Sequence, residues 1–407
     1  MWENDIDINE IKEIRVRSNV YFGIGAINKI DDILKSLKEK NVEKVIVVSG
    51  KNAYKSTGAW DVIKKALDGN NIGYINYDKV TPNPTVDHID EASQMAKEFD
   101  AQAVIGIGGG SPIDTAKSVA CLIKNPNYNA RDLYTFKFTP HNAAPIVAIN
   151  LTHGTGTEAN RFAVATIPET EFKPAIAYDC LYPYASIDDP DLMKGLSPKQ
   201  TLYVSLDAIN HAVEAATSKV ASPLAISLAY ETIKTVVEYL PRIIKNPNDK
   251  EARYFLTYAA MLGGVSFDNG LLHLTHALEH PLSGIKPGLT HGLGLAILLP
   301  SVIKYAYSGK PHIFAYILSP IVRGLKGEAD EAAKAAHDVE KWIYEMGVTQ
   351  KLVDEGFCED DIDKIVELTF NTPSLDLLLS IAPINSTKEV VGNIFRESLE
   401  GYNRRNA

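Results

Sequence analysis

The stretch "VIGIGGGSPIDTAKSVA", residues 104–120, decides the fold. A short β-branched run enters three consecutive glycines and leaves as a helical pattern, so the segment reads as strand, tight turn and helix. Gly108, Gly109 and Gly110 allow the backbone to bend sharply and to approach a ligand closely. Ser111 is the expected N-cap, with Pro112 at the first helical position. Exposed amides and the helix dipole at such a start favour a phosphate. The turn lacks the GK[ST] of a P-loop and does not match G-x-G-x-x-G spacing. A plain strand–helix turn is the competing reading; the glycine triplet capped by Ser-Pro favours the phosphate.

Working outward, the same texture repeats up to about residue 190. "VEKVIVVSG" (42–50), "IGYINYDKV" (72–80), "AQAVIGIGG" (101–109), "APIVAINLT" (144–152) and "FAVATIP" (162–168) are strand candidates. Helical stretches such as "AWDVIKKALDGN" and "VDHIDEASQMAKEF" separate the first three. Strands alternating with helices predict a parallel sheet covered on both faces, whose ligands bind beyond the carboxyl ends of the strands. A second glycine-rich turn, "NLTHGTGTEAN" (150–160), follows the fourth strand. Its Thr152, Thr155 and Thr157 offer hydroxyls to phosphate, ribose or carboxamide. Two such turns in one sheet point to a dinucleotide. After residue 190 strand signals nearly vanish, and Ser197-Pro198 and Ser222-Pro223 each read as an N-cap followed by proline at the first helical position. The expected division is an α/β domain over 1–190 and an all-helical domain over 191–407, with the boundary near "DDPDLMKG" (188–195).

Composition excludes several classes. Of 407 residues, 41 are Lys or Arg and 51 are Asp or Glu, a net charge of −10 that argues against nucleic acid as a partner. No apolar run approaches the roughly 18–20 residues of a membrane span. The acidic amino terminus does not read as a signal peptide. The three cysteines, Cys121, Cys180 and Cys358, are far apart with no C-x-x-C, which fits a reduced, cytoplasmic protein.

The chemistry concentrates in the helical half. Four of the ten histidines lie in "HLTHALEHPLSGIKPGLTH", residues 273–291. They could hold a metal, shuttle protons or be ordinary helix residues. In "SLDAINHAVEA", Asp207 and His211 are four apart on one helix face. His276 and His280 share that spacing, and His273 is expected on the same face. His291 follows a loop that can fold back. An aspartate with several imidazoles suits Fe²⁺, Zn²⁺ or Mn²⁺ better than a soft-metal site.

Together, "PNPT" (82–85), "GGGSPIDTAK" (108–117), "THGTGTE" (152–158), "SIDDPDL" (186–192), "DAINHAVEA" (207–215) and "HALEHPLSGIKPGLTHGLGLAILLP" (276–300) resemble the iron-containing alcohol dehydrogenases, in the right order and nearly end to end. The resemblance implies a Rossmann-like dinucleotide-binding domain and a helical domain in a dehydroquinate synthase-like architecture, with the active site between them, and a homodimer. It assigns a metal, Fe²⁺ or alternatively Zn²⁺, to Asp207, His211, His276 and His291. His280 becomes a candidate for proton transfer. Lys173 matches a family lysine near the nicotinamide ribose, and Asp114 one near the glycine turn. His273 and His153 stand where the family has small residues. The loop before His291 looks one residue longer.

In relatives that prefer NAD(H), the strand matching 42–50 ends in an aspartate that binds the adenosine ribose. Here Gly50 takes that place, with Lys51 beside it. Without the carboxylate's repulsion a 2′-phosphate is tolerated, so NADP(H) is the expected cofactor and NAD(H) the alternative. The expected reaction moves a hydride between NADP(H) and a short primary alcohol or aldehyde. Rival readings keep the fold and change the chemistry, as a zinc glycerol or diol dehydrogenase or a dehydroquinate synthase-like lyase, or drop the chemistry, as a non-catalytic NADPH-binding protein.

Overall fold

Eight strands occur in chain order among the residues described, 1–400, of this computed structural model. They are β1 (Val20–Phe22), β2 (Lys44–Ser49), β3 (Gly73–Tyr77), β4 (Ala103–Gly108), β5 (Ile146–Asn150), β6 (Phe162–Val164), β7 (Ala175–Ala177) and β8 (Ala185–Asp188). Six of them form one sheet in the order β1-β8-β5-β4-β2-β3, and every pairing in it is parallel. The apolar runs of β2, β4 and β5 are buried throughout because helices cover both faces. Successive residues enter different cores, as the period of two requires. Ile46, Val48, Val104 and Ile146 join one apolar cluster, and Val45, Val47, Ile105 and Val147 the other. Helices Val86–Phe99 and Gly110–Lys124 pack on the first face, and Ile30–Glu39 and Ala59–Gly69 on the second.

The first four strand candidates lie in this sheet. The fifth does not: β6 pairs antiparallel with β7 in a separate ribbon. Two contacts hold that ribbon over the Gly110–Lys124 helix. Asp114 Oδ2 accepts from Val164 N (3.0 Å), and buried Lys117 Nζ donates to the carbonyls of Thr157, Asn160 and Phe162 at 2.7–2.9 Å. The missing sheet members are β1 and β8: Val20–Phe22 is only three residues long, and Ala185–Asp188 is four, with Ser186 and Asp188 interrupting its apolar run.

From Pro198 onward the described residues form helices without strands. Ser197 Oγ accepts from Gln200 N (3.1 Å) and Ser222 Oγ from Ala225 N (3.1 Å), so both expected caps are present. These helices enclose the largest apolar cluster, including Leu206, Ile209, Val213, Leu278 and Leu298. The amino-terminal segment also reaches this half. Asp5 accepts from Ile313 N (3.0 Å), and Asn269 exchanges hydrogen bonds with the Arg15 backbone (2.6 and 3.0 Å). No helix among the described residues is long and apolar enough to cross a membrane.

The second glycine turn joins the halves. A Cβ on Gly156 would lie 2.5 Å from Gly264 Cα, and one on Gly264 would lie 2.3 Å from Gly156 O. The turn and the Lys250–Asp268 helix therefore touch backbone to backbone. Gly156 also has φ +58°, a left-handed value that favours glycine. Gly264→Ala is expected to destabilise the protein by about 1–3 kcal/mol through overpacking. Urea unfolding reads it, with Gly195→Ala, in open space, as the control. An unshifted Gly264→Ala midpoint would show that the halves separate freely here.

Candidate metal centre and cofactor turns

Three helices bring the metal-binding candidates together. Pro198–Thr217 carries Asp207 and His211, Leu274–Ile285 carries His276 and His280, and His291 opens His291–Ala306. Asp207 Oδ1 lies 3.5 Å from His211 Nε2, 3.8 Å from His276 Nε2 and 3.9 Å from His291 Nε2. One donor atom each from Asp207, His276 and His291 falls within 4.8 Å of the others. The His211 and His276 rings stack, centroids 4.8 Å apart. Asp207 Oδ1 and His276 Nε2 are buried and have no hydrogen-bond partner. Buried orphan lone pairs are costly unless something binds them, and an aspartate with three imidazoles fits a divalent cation of the iron or zinc type.

Two carboxylates hold the imidazoles from behind. His276 Nδ1 donates to Glu214 Oε2 and His291 Nδ1 to Glu279 Oε2, both in short contacts. A carboxylate only accepts, so Nδ1 carries a proton and each Nε2 is turned to the site, where it can ligate an ion. Glu214 Oε1 also receives His273 N (3.0 Å) and His276 N (3.2 Å), capping the start of their helix. Burial works against ionising Asp207, but His211, His276 and His291 outweigh it and hold its carboxyl down at about 2. Burial pushes the His211 ring down to about 4. Burial disfavours charge on His276 too, yet Glu214 and Asp207 raise it to about 9. The pocket's net field thus draws positive charge to the point where the donors converge.

His280 stands beside this cluster, its ring centroid 5.9 Å from that of His291. Its Nδ1 donates to the Lys173 carbonyl (2.8 Å), leaving Nε2 as the acceptor. Burial and the neighbouring Lys173 ammonium hold this ring well below the ordinary histidine range. His273 does not share the face of His276 and His280. It is the helix N-cap: Nδ1 accepts from Leu274 N (2.7 Å) and Nε2 contacts Thr217 Oγ1 (2.9 Å). His153 is buried and bonded to the helical half. Its Nε2 accepts from Arg253 Nη1 (2.7 Å), and Ser205 Oγ lies 3.5 Å from Nδ1, so it helps join the halves.

The two glycine turns meet. A Cβ on Gly109 would lie 2.9 Å from Thr152 Cγ2, and one on Gly110 would lie 2.8 Å from Thr155 Cγ2. The threonine hydroxyls therefore flank the start of the Gly110–Lys124 helix. Ser111 is not the N-cap expected of it. The helix begins two residues earlier, with Gly109 at the cap and no side-chain capping bond. Pro112 becomes its third residue, still within the first turn, where no intrahelical N–H is needed. That leaves the leading amides without a side-chain cap. Asp114 is committed within the protein: Oδ1 accepts from Thr157 Oγ1 (2.7 Å) and Oδ2 from Val164 N. Gly50 sits at the carboxyl end of β2 with Lys51 exposed beside it. Lys173 is buried, its ammonium on Asn83 Oδ1 (3.0 Å) and Glu279 Oε2 (3.4 Å).

Sequence reasoning missed Glu214, Glu279 and Lys117. The two glutamates were readable in principle, because each lies three residues beyond a ligand candidate on the same helix, His211 or His276. Lys117 had no such signal, since its acceptors are carbonyls forty or more residues away.

Comparison with known proteins matches this geometry. Residues 17–190 match the family model for iron-containing alcohol dehydrogenases, and residues 201–399 match that of the family's C-terminal domain. The chain is 57% identical over 398 residues to the long-chain primary alcohol dehydrogenase AdhA of Thermoanaerobacter ethanolicus, covering 98% of this chain and all of that one. It superposes on an archaeal halo-thermophilic Red Sea brine pool alcohol dehydrogenase at TM-score 0.89, with 27% identity, covering 96% of this chain and all of that one. For the NADH-dependent butanol dehydrogenase A of Thermotoga maritima the TM-score is 0.87, with 28% identity, covering 96% and 99%. The chain belongs to the iron-containing alcohol dehydrogenase family. It is an oxidoreductase that acts on alcohols.

Proposed function

We propose that this enzyme interconverts primary alcohols and aldehydes with NADP(H) preferred over NAD(H), and that Asp207, His211, His276 and His291 hold the Fe²⁺ on which turnover depends. The observation that carries the reading is the convergence of Asp207 Oδ1 and the imidazole Nε2 atoms, with Asp207 Oδ1 and His276 Nε2 buried and unpartnered. When bound, the ion supplies Lewis acidity at the substrate oxygen, and the nicotinamide supplies hydride transfer. The residues do the rest. Glu214 and Glu279 keep the ligand lone pairs aimed inward. His280, with Nε2 free, takes or returns the alcohol proton. The uncapped amides at Gly110 and the hydroxyls of Thr152 and Thr155 bind the pyrophosphate side of the cofactor.

Short-chain alcohols were the expectation from sequence. The relative at 57% identity is named for long-chain primary alcohols, so we assign the longer chains to this enzyme as well. The coenzyme preference rests on Gly50 and Lys51. The nearby carboxylate after β3, Asp78, is engaged by Tyr54 Oη (3.2 Å) and Lys55 Nζ (3.6 Å). A homodimer is part of this reading. Strand β1 is an open sheet edge, and the chain leading through it exposes Ile8, Ile11, Ile14, Val16, Tyr21 and Ile24. An apolar, half-paired edge is best covered by a second copy. A cytoplasmic location is consistent with three free cysteines.

Metal-stripped protein should be inactive in NADPH-dependent reduction of a C2–C10 aldehyde series, and anaerobic Fe²⁺ reloading should restore turnover. Equal activity in both forms, or full metal content and turnover in His276→Ala, would sink the assignment. Gly50→Asp should shift the kcat/KM ratio towards NADH by about tenfold or more, because a carboxylate would face the 2′-phosphate. A tenfold NADH preference in the natural chain refutes the NADP(H) reading. Light scattering should give the dimer mass, with Ile11→Lys/Val16→Lys monomeric; a natural monomer contradicts the dimer.

A further inference from the structure

Of the four metal-binding candidates, His291 is the least secured. Asp207, His211 and His276 lie inside helices with side chains 3–5% exposed, whereas His291 is the first residue of its helix and its side chain is 27% exposed. Thr290, before it, makes no side-chain capping bond. A loop, Lys286–Thr290, leads into it. Helix geometry alone leaves its ring free to turn.

Glu279 meets that deficiency. It is wholly buried, on the helix that carries His276, and its Oε2 accepts from His291 Nδ1. Its other oxygen accepts from Ser283 Oγ one turn later. Lys173 Nζ lies 3.4 Å from Oε2 and donates to Asn83 Oδ1 at 3.0 Å. Asn83 Nδ2 in turn donates to the carbonyls of Pro287 (2.9 Å) and Leu289 (3.3 Å), in the loop that delivers His291. The path closes on itself: His291, Glu279, Lys173, Asn83 and back to the His291 loop. Gly294 makes room, since a Cβ there would fall 2.9 Å from Glu279 Cγ.

Glu279, His280 and His291 also place donor atoms within 4.8 Å of one another. That is not a second ion site. Glu279 Oε2 is already occupied by His291 Nδ1 and Lys173, and His280 Nδ1 by the Lys173 carbonyl. The cluster is a hydrogen-bonded brace.

We propose that Glu279, held by Lys173 and Asn83, is the positioning residue that fixes His291 as a metal ligand. The inference rests on the ligand set proposed above. It separates from that set experimentally, because each fails on a different variant.

The test is the rate at which an excess of a chromogenic zinc chelator strips Zn²⁺ from the zinc-loaded full-length protein, read from the absorbance of the chelator complex. Glu279→Gln keeps the side chain's shape and removes its charge, and should lose zinc about 10–100-fold faster. The KM for the coenzyme should stay at the natural value. In a His291→Ala background the same substitution should add nothing, whereas a merely structural role would accelerate loss in both backgrounds. If Glu279→Gln fails to fold, Lys173→Met asks the same question by untethering Glu279. It should speed zinc loss only when His291 is present. Zinc loss from Glu279→Gln within twofold of the natural protein, while His291→Ala loses zinc rapidly, overturns the positioning role. Unchanged zinc retention in Lys173→Met overturns that lysine's part in the brace. Natural zinc retention in His291→Ala overturns the ligand set instead, and the positioning role with it.

Discussion

A buried carboxylate oxygen without a hydrogen-bond partner is the constraint on which this structure turns. Asp207 Oδ1 is shut away from water inside a helix bundle and faces three imidazole nitrogens at 3.5–3.9 Å. Leaving such a group unpaired costs several kcal/mol, so the arrangement makes physical sense only with positive charge at its centre. Three helices must be held in register to build it. The glutamates behind His276 and His291 do much of that holding, and each is itself satisfied: Glu214 accepts from two backbone amides, and Glu279 pairs with Lys173. Negative charge is therefore layered around the site, and each layer is answered by the next.

The second constraint is backbone proximity. The glycines of the two turns do different work. Gly109 and Gly110 let Thr152 and Thr155 close onto the start of a helix, while Gly156 lets the second turn touch Gly264 in the helical half. The turn that flanks the start of the Gly110–Lys124 helix is thus the same turn that docks the two halves. His153 reinforces this by reaching Arg253 and Ser205 across the junction.

Much of this was legible in the sequence for a physical reason: periodicity and spacing survive folding. The apolar runs at 42–50 and 101–109 had to be buried parallel strands, and Asp207 with His211 had to share a helix face. What stayed hidden depends on contacts distant in sequence. β1 is too short and β8 too short and polar to announce themselves, and β6 had the composition of a sheet strand but was captured by Asp114 and Lys117 into a ribbon. Ser111 looked like an N-cap because Pro112 usually marks the first helical position; here the glycines start the helix earlier. His273 kept helical spacing with His276 but lies just outside the helix, as its cap. Lys173 matched a cofactor residue by motif, yet its ammonium turns toward Glu279, a partner only the folded chain reveals.

The central claim is that one aspartate and three histidines hold a divalent ion. X-ray absorption at the zinc edge of the zinc-loaded full-length protein tests it most directly. The account predicts a shell of three imidazole nitrogens and carboxylate oxygen at about 2.0–2.2 Å, falling to two imidazoles in His291→Ala. A shell of oxygen alone, or one containing sulfur, would contradict it.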